Sequence, residues 1–278
     1  MRLFDINNGE MLDFFPTKQS IKVRNGHTML TLTRQVKIIS LLKQHGTITV
    51  TQLCDTLYAS PSTIRRDLSE LEAKGFIKRV HGGAVLIKGG GTEEPFKLRS
   101  EKNLQQKNRI ADLASRFLSN SKTFFFDGGT TCGALVSRLY GYTDVKVLTN
   151  GLEILNNSQN SNRMLLSTGG ILYSPIHKRL LGSIAISTIE SMHADAFFFS
   201  VAGVSQFGVT EESDEVVQVK RAFSRHSNLT IVLADSTKIG KTATYKVMDL
   251  NDVDYLVTEK EPEDPYYRQV LGSRLICK

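Results

Sequence analysis

Six short runs of apolar residues constrain the fold of the later part of the chain more strongly than any other feature. The runs are TFFF, VKVL, RMLL, AFFFSVA, LTIVLA and DYLV, between residues 123 and 257. Each run is continuous rather than alternating in polarity, which is typical of strands buried on both faces. Helices are expected between the runs at 104–118, 131–140, 182–192 and 214–225. The pattern predicts an α/β unit built on a mostly parallel sheet.

The earlier part of the chain shows three helical patterns followed by a hairpin. Apolar residues at helical spacing predict helices over 34–45 and 48–59. A third helix is expected after Ser60, an N-cap residue, with Pro61 at its first position and a stop at Gly75. The segment FIKRVHGGAVLI then combines two apolar, β-branched stretches around a Gly-Gly turn. Three helices and a hairpin predict a winged helix-turn-helix domain.

Glycine-rich composition predicts the boundary between these two parts. The segment KGGGTEEP, at 88–95, is too polar and too rich in glycine to belong to either core. The expected domains are a flexible extension over 1–28, the winged helix-turn-helix domain over 29–88, a linker over 89–103 and the α/β domain over 104–278. Because Met29 directly precedes the first patterned segment, we hypothesise that it is the true start of the protein.

The positive charge is concentrated in the predicted winged domain. The chain has 35 basic and 28 acidic residues, a net charge of +7, and residues 29–88 hold 9 of the basic and 4 of the acidic ones. A compact basic segment joined to a nearly neutral one indicates a nucleic-acid module attached to a part that senses or catalyses. Charge alone is equally compatible with a solvated basic face.

Other features exclude several classes of protein. No apolar run approaches the ~18 residues that a membrane-spanning helix needs, and the chain shows no secretory signal pattern, so we expect a cytoplasmic protein. The three cysteines, Cys54, Cys132 and Cys277, are far apart and lack CxxC spacing. This excludes a disulfide scaffold and a zinc ribbon, and no metal or cofactor is expected.

The third helix predicts a DNA-reading surface. Burial of its apolar stripe at Ile64, Leu68 and Leu71 turns the opposite face toward solvent. The expected DNA contacts are Ser62, Thr63, Arg65, Arg66 and Ser69 on the helix and Lys78, Arg79 and His81 on the hairpin. Arginine can pair with guanine or hold a phosphate, and the hairpin can contact the backbone or minor groove. Alternatively, the two arginines form salt bridges with Asp67, Glu70 or Glu72.

Polar, glycine-rich loops after four of the strands predict a site for a small anionic ligand. The candidate residues are Asp127, Gly128, Gly129, Thr130 and Thr131 after the first run, Asn150 after the second, Gly169 and Gly170 after the third, and Asp235 and Lys238 after the fifth. Backbone N–H groups at such turns bind phosphate, and ligands of parallel sheets bind at the carboxyl ends of strands. Lys238 is expected to provide a cation, and Asp235 and Asn150 to orient sugar hydroxyls. A helix cap at Asp235 and a solvated Lys238 remain open alternatives.

Residues 53–86, LCDTLYASPSTIRRDLSELEAKGFIKRVHGGAVL, resemble the N-terminal signature of DeoR-type bacterial transcription regulators. The resemblance extends to about residue 260, over a domain whose fold in that family is similar to ribose-5-phosphate isomerase and whose ligands are phosphorylated sugars or their breakdown products. It implies that Arg99, Lys107 and Lys220 stand at positions common in the family.

The resemblance implies a repressor of a carbohydrate-catabolism operon. Such a protein binds operator DNA as a homodimer or homotetramer and is released by a phosphorylated sugar. The alternative is a sugar-phosphate isomerase or deaminase with a DNA-binding appendage, which DGGTT disfavours because it contains a single carboxylate. Cys132 is expected to be a packing residue, and His177 and Arg179 to lie in a solvated loop, although they could reach a ligand. Glu211, Glu212 and Asp214 could start a helix or contact a sugar.

Overall fold

The structure of the protein, a computed structural model, describes residues 2–4, 11–13, 34–73 except 36 and 43, 77–86, 96–157 except 121, 164–174 and 177–277. The chain divides into two compact units, Met1–Gly90 and Gly91–Lys278. The hypothesised start at Met29 and the glycine-rich segment 88–95 lie outside the described residues. Within the expected flexible extension, β1 (Arg2–Phe4) and β2 (Met11–Asp13) pair as antiparallel strands, which the sequence did not predict.

The first unit contains three helices and a three-stranded antiparallel sheet. Its elements are α1 (34–45), β3 (Thr47–Thr49), α2 (Val50–Leu57), α3 (Pro61–Ala73), β4 (Ile77–Val80) and β5 (Gly83–Leu86). The sheet order is β3-β5-β4, so β3, which was not predicted, pairs with the hairpin. The hairpin turns at His81 and Gly82 rather than at Gly82 and Gly83. This arrangement is the winged helix-turn-helix that the sequence predicted.

A local sequence signal fixes the start of α3, and buried contacts hold the helix in place; the predicted stop at Gly75 lies outside the described residues. The Ser60 hydroxyl accepts a hydrogen bond from the Thr63 backbone N–H at 3.2 Å, as an N-cap does. Ile64, Leu68 and Leu71 are buried and pack in one core with α1 and the hairpin. Asp67 is also buried, and it forms an ion pair with Arg34 of α1. The buried face of α3 is therefore fixed against α1, and the opposite face is open.

The second unit is built on a seven-stranded parallel sheet. The strands, in sheet order, are β17 (Leu275–Ile276), β16 (Tyr255–Val257), β14 (Thr230–Leu233), β11 (Ala196–Ser200), β6 (Thr123–Phe126), β7 (Lys146–Thr149) and β8 (Met164–Ser167). All six neighbouring pairs are parallel. The six predicted runs each form a strand, and β17 is an addition. The α/β class with a parallel sheet is confirmed.

Helices and small antiparallel pairs surround this sheet. The helices are α4 (Phe96–Glu101), α5 (Leu104–Ala114), α6 (Thr130–Val136), α7 (Leu152–Asn157), α8 (Ser183–Glu190), α9 (Asp214–Arg225) and α10 (Tyr266–Leu271). The antiparallel strands are β9 (Ile171–Ser174) with β10 (Arg179–Leu181), and β12 (Gly203–Ser205), β13 (Gly208–Glu211) and β15 (Tyr245–Met248). Helix α4, which the sequence did not predict, lies within the expected linker over 89–103. No described helix is long and apolar enough to cross a membrane.

The phenylalanine side chains of the central strands pack on both faces of the sheet. Phe124, Phe126 and Phe198 pack into the core that contains α5 and α6. Phe125, Phe197 and Phe199 pack into the core on the opposite face, with α8 and α9. Successive side chains of a strand point to opposite faces, so a sheet covered on both sides needs apolar residues throughout. The chain enters this sheet at β6, and the later strands add on both sides of it, which places a topological switch point between β6 and β11.

Candidate functional site

The exposed face of α3 carries the predicted DNA contacts. Ser62, Arg65, Arg66 and Ser69 are exposed, and Thr63 is half-buried. Neither arginine side chain forms an ion pair or hydrogen bond with any residue that the structure describes. The acidic neighbours have other partners, which are Arg34 for Asp67, Gln35 for Glu70 and the backbone N–H of Arg79 for Glu72. The alternative of local salt bridges is therefore not what the structure shows.

The hairpin extends this exposed surface. Lys78, Arg79 and His81 are all exposed. The Arg79 guanidinium donates to the Ser69 hydroxyl at 2.9 Å, and this hydroxyl donates to the Arg65 carbonyl, also at 2.9 Å. These bonds join β4 to α3 on the side that is open to solvent. A groove of about 590 Å³ adjoins them, and its walls come from α2, the start of α3 and the hairpin turn, including Thr51, Arg65, Arg79 and His81.

In the second unit, the loop after β6 meets the loop after β7. The Gly128 N–H donates to the Asn150 side-chain oxygen at 2.9 Å, and the Asn150 amide nitrogen donates to the Leu180 carbonyl at 3.3 Å. A Cβ on Gly128 would lie 2.8 Å from the Cα of Gly151, and a Cβ on Gly129 would overlap the Ser200 hydroxyl. The glycines are therefore required by close packing. Asn150 uses both amide heteroatoms to hold the loops together, which differs from the predicted contact with a sugar hydroxyl.

A buried cluster of charges lies directly beside this loop. The ammonium group of Lys220, on α9, forms an ion pair with Glu211, lies 3.5 Å from Asp127 and donates to the Ser200 carbonyl at 2.5 Å. Arg179 Nε lies 3.8 Å from the second Asp127 oxygen, which accepts no hydrogen bond from any described residue. Two acidic and two basic side chains thus balance in charge, and all four are almost fully buried. The charge of Asp127, at the switch point, is therefore balanced by Lys220 and Arg179.

Two predictions for neighbouring segments are corrected by this cluster. His177 and Arg179 are buried rather than solvated, and Arg179 begins β10. Glu211 lies on β13 and pairs with Lys220, while Asp214 is the residue that begins a helix, α9. Cys132 is fully buried, and burial raises the pKa of its thiol, so it is the packing residue that was expected.

A second polar cluster forms where β14 ends. Asp235 accepts from the Thr237 N–H at 3.1 Å and from the Asn103 side-chain amide at 3.3 Å. It therefore caps the short helical turn Ser236–Lys238, which was the alternative role left open for it. Lys238 is half-buried and forms no ion pair or hydrogen bond through its ammonium group with the described part of the chain.

Lys107, on α5, interacts electrostatically with Asp235, Arg99 and Lys238. The Lys107 ammonium group is buried and donates to the carbonyls of Arg99 and Lys102. The pKa of Lys107 is lowered from 10.5 to about 8, mainly by burial and also by the charges of Arg99, Lys238 and Lys102, against the opposing effect of Asp235. The charge of Lys107 is therefore disfavoured both by burial and by neighbouring cations. An anion bound among them would relieve their repulsion.

The remaining candidate residues lie at the same end of the sheet in less central positions. Thr130 begins α6 and is half-buried, whereas Thr131 is buried. Gly169 and Gly170 follow β8, which is separated from β6 by β7. Both have positive φ, and Gly170 packs against the Leu181 carbonyl and Ala185. No group of His, Cys, Asp or Glu among the described residues could hold a metal ion.

Sequence reasoning missed the pairing of Glu211 with Lys220 and the contact of Asn103 with Asp235. One available signal was a lysine on an otherwise apolar helix face, since Val216, Val217, Val219 and Phe223 are the buried neighbours of Lys220 on α9. A lysine at such a position needs a buried partner. No comparable local signal marks Asn103, because its partners are more than a hundred residues away.

A winged helix-turn-helix unit is followed by an α/β unit with polar groups at the carboxyl ends of its strands. This combination is that of a DNA-binding regulator with a sensor domain. Residues 34–89 match the family model of the DeoR-like helix-turn-helix domain, and residues 102–260 match that of the DeoR C-terminal sensor domain. The chain belongs to the DeoR family of transcriptional regulators.

Curated relatives with similar sequences cover nearly the whole chain. The HTH-type transcriptional regulator GolR of Listeria innocua is 35% identical over 90% of this chain and 99% of its own length. The HTH-type transcriptional repressor GlcR of Bacillus subtilis is 33% identical over 84% and 90%. The glycerol-3-phosphate regulon repressor of Haemophilus influenzae is 31% identical over 88% and 96%.

Solved structures with a related arrangement include two isomerases. Ribose 5-phosphate isomerase from Plasmodium falciparum has a TM-score of 0.35 and 13% identity over 48% of this chain and 52% of its own. The enzyme from Methanocaldococcus jannaschii has a TM-score of 0.36 and 14% identity over 50% and 55%. The chain spans about half the length of each isomerase, and TM-scores this low support no functional argument.

Proposed function

We propose that the protein is a cytoplasmic repressor of a carbohydrate-catabolism operon that releases its operator when a phosphorylated sugar binds the second unit. The observation that carries this proposal is the buried Lys107 at the carboxyl end of the sheet, which interacts electrostatically with Arg99, Lys238 and Asp235, while Asn103 contacts Asp235 directly. A phosphate group would relieve the repulsion among these cations, and a sugar would extend from it along the sheet edge. Among the relatives, the Haemophilus protein is named for a phosphorylated polyol.

The ligand-binding residues of this proposal combine the cations with the loops at the neighbouring strand ends. The backbone of Gly129 and the hydroxyl of Thr130 would contribute the loop after β6 to this site, while the Gly128 N–H remains bonded to Asn150. Asp127 would accept a hydrogen bond from a sugar hydroxyl, because one of its oxygens is buried and has no hydrogen-bond donor in the described part of the chain. Asn150, Gly169, Gly170 and Thr131 would maintain the shape of the loops.

The DNA-binding half of the proposal uses the exposed face of α3 and the hairpin. Arg65 and Arg66 would read base edges or hold phosphates, and Lys78 and His81 would contact the backbone. A single winged domain contacts too little DNA for high specificity, so the protein would act as a homodimer or homotetramer on paired half-sites.

The experiment uses the full-length protein and duplex DNA from upstream of its own gene and the adjacent metabolic genes. Fluorescence anisotropy would measure operator binding while phosphorylated sugars and their unphosphorylated counterparts are added. Only a phosphorylated sugar should release the DNA. Lys238→Ala should abolish release and leave DNA binding intact, whereas Lys260→Ala, which changes an exposed lysine paired with Glu263, should alter neither. Release by unphosphorylated sugars, or full release of Lys238→Ala, would contradict the proposal.

One observation favours a second candidate function, sugar-phosphate isomerisation. The structure brings Glu211 close to Asp127 through Lys220, so the site contains two carboxylates, not the one apparent in DGGTT. The regulatory function is preferred because Lys220 neutralises both groups and all three are buried. Incubation with pentose and hexose phosphates, followed by chromatography, distinguishes the two. Turnover that Lys238→Ala abolishes would establish the enzyme.

A further inference from the structure

Helix α4 is the first regular element after the boundary between the two units. Unit two begins at Gly91, and α4 covers Phe96–Glu101. A helix of six residues is not stable by itself, so tertiary contacts must determine whether and where it forms. In the sequence, α4 is the described element of the second unit that stands nearest to the DNA-binding unit, so contacts that hold α4 act close to the boundary between the units.

Lys107 fastens the C-terminal end of α4. Its ammonium group donates to the carbonyls of Arg99 and Lys102, which are among the carbonyls that the end of a short helix leaves without partners. Lys107 belongs to α5, and its side chain is buried. Helix α4 also packs against α6, the helix that begins at Thr130 beside the glycine loop.

Asn103 links the end of α4 that Lys107 holds to the loop that carries Lys238. Its amide nitrogen lies 3.3 Å from Asp235 Oδ1 and 3.5 Å from the Thr237 hydroxyl. The same Asp235 oxygen caps the turn Ser236–Lys238. Asn103 adopts a left-handed conformation with φ of 54° at the position that precedes α5.

We propose that Asn103 is a positioning residue that couples the Asp235–Lys238 loop to α4, so that an anion in this loop changes how firmly α4 is held. The coupling rests on the proposed effector site. An anion among the cations competes with Asp235 for their charge and shifts the hydrogen bonds that Asp235 makes to Asn103 and Thr237. Through Asn103 and Lys107 the change reaches the C-terminal end of α4, and from there the chain that leads to the DNA-binding unit.

The test compares wild-type protein with Asn103→Gly by hydrogen exchange, using inorganic phosphate as the probe. Glycine tolerates the left-handed conformation, so the variant loses the amide and keeps the backbone path. Gln105→Ala, at an exposed position on α5, is the matched control. In the wild type and the control, phosphate should slow exchange of amides 97–102 and 236–239 by about fivefold or more, the lower end of typical coupling between sites. In Asn103→Gly, phosphate should slow hydrogen exchange only at amides 236–239.

The outcomes separate this inference from the function on which it rests. Equal protection of α4 in Asn103→Gly and wild type would overturn the coupling through Asn103, as would protection of the loop without any change in α4 in the wild type. Absence of phosphate protection at both segments would refute the effector site, and the coupling with it. Operator affinity of Asn103→Gly, measured without phosphate, should stay within about twofold of wild type, and a larger loss would show a structural defect, not a loss of coupling.

Discussion

The ammonium group of Lys220 lies 3.5 Å from the carboxylate of Asp127, and both side chains are almost fully buried at the switch point of the sheet. The same Lys220 ammonium group also forms an ion pair with Glu211. In the proposed function, a carboxylate in the ligand-binding loop would repel an anion, and Lys220 would remove that repulsion by neutralising Asp127. The buried cluster would therefore make the glycine loop compatible with a phosphorylated ligand.

Replacement of Lys220 should destabilise the second unit strongly. Lys220→Met leaves Asp127 and Glu211 buried without their common cation, which should cost about 3–5 kcal/mol. The additional change Glu211→Gln should recover part of this loss, because only one carboxylate then remains, with Arg179 close to it. Lys260→Met, at an exposed lysine, should change stability by less than about 0.5 kcal/mol. Urea unfolding measures all three, and a Lys220→Met loss no larger than that of Lys260→Met would contradict the role of the cluster.

Two glycines five residues apart, Gly128 and Gly133, should respond oppositely to alanine. Gly128→Ala places a Cβ 2.8 Å from the Gly151 Cα, a backbone contact that cannot relax without moving a loop, so stability and effector response should both fall. Gly133 lies within α6, and a Cβ there would meet no atom within 4 Å. Gly133→Ala should therefore stabilise the protein by up to about 1 kcal/mol. Thermal unfolding measures both changes, and a stable Gly128→Ala would show that the loops are not closely packed.

The contribution of Lys107 to stability should depend on pH in the alkaline range. Burial lowers the pKa of Lys107 from 10.5 to about 8 in the folded protein, so the unfolded chain binds more protons between these values. Stability from this residue should therefore rise as the pH increases from 8 to 10.5, and the cost of burying its charge is fully present below pH 8. Lys107→Met should remove this rise. Unfolding experiments at several pH values on both proteins would show it, and parallel pH profiles would contradict the assignment.

Anion binding should weaken as the pH rises through the pKa of Lys107 in the folded protein. Lys107 loses its charge as the pH rises above about 8, which removes one cation from the group that would hold a phosphate. Affinity for a sugar phosphate should thus fall between pH 7 and 9, beyond the range in which the phosphate itself titrates. Calorimetric titration tests this. Lys107→Met should bind more weakly at pH 7 and lose the pH dependence, and an unchanged pH profile in that variant would assign the effect to another group.

Operator recognition should depend on Arg66 and Arg65. Both guanidinium groups are exposed and without partners in the described part of the chain, so Arg66→Ala or Arg65→Ala should leave the fold intact. Loss of a bidentate base contact should weaken operator binding by about 1–3 kcal/mol and relax specificity, whereas loss of a phosphate contact should weaken binding to all sequences equally. Lys37→Ala, at an exposed lysine on α1, serves as the control. Unchanged affinity in both arginine variants would exclude α3 as the reading helix.

Local patterns were sufficient for much of the fold. Ser60, Pro61 and the spacing of Ile64, Leu68 and Leu71 predicted the start and the buried face of α3, because capping and helical periodicity involve residues a few positions apart. The phenylalanine runs likewise predicted strands buried on both faces. Helix α4 escaped prediction because it is short and is held by Lys107, a contact that its own composition does not encode.

Local patterns in the sequence are enough to predict a basic winged domain, a parallel sheet and polar loops at the strand ends, since each of these depends on neighbouring residues. The contacts between charged groups depend on the tertiary structure. It buries Arg179, which the sequence assigned to a solvated loop, beside Asp127, and it pairs Lys220 with Glu211. It also brings Asn103 into contact with Asp235. Partners of buried charges are chosen by the order of strands in the sheet, which brings distant loops to one edge, and no local pattern carries that information.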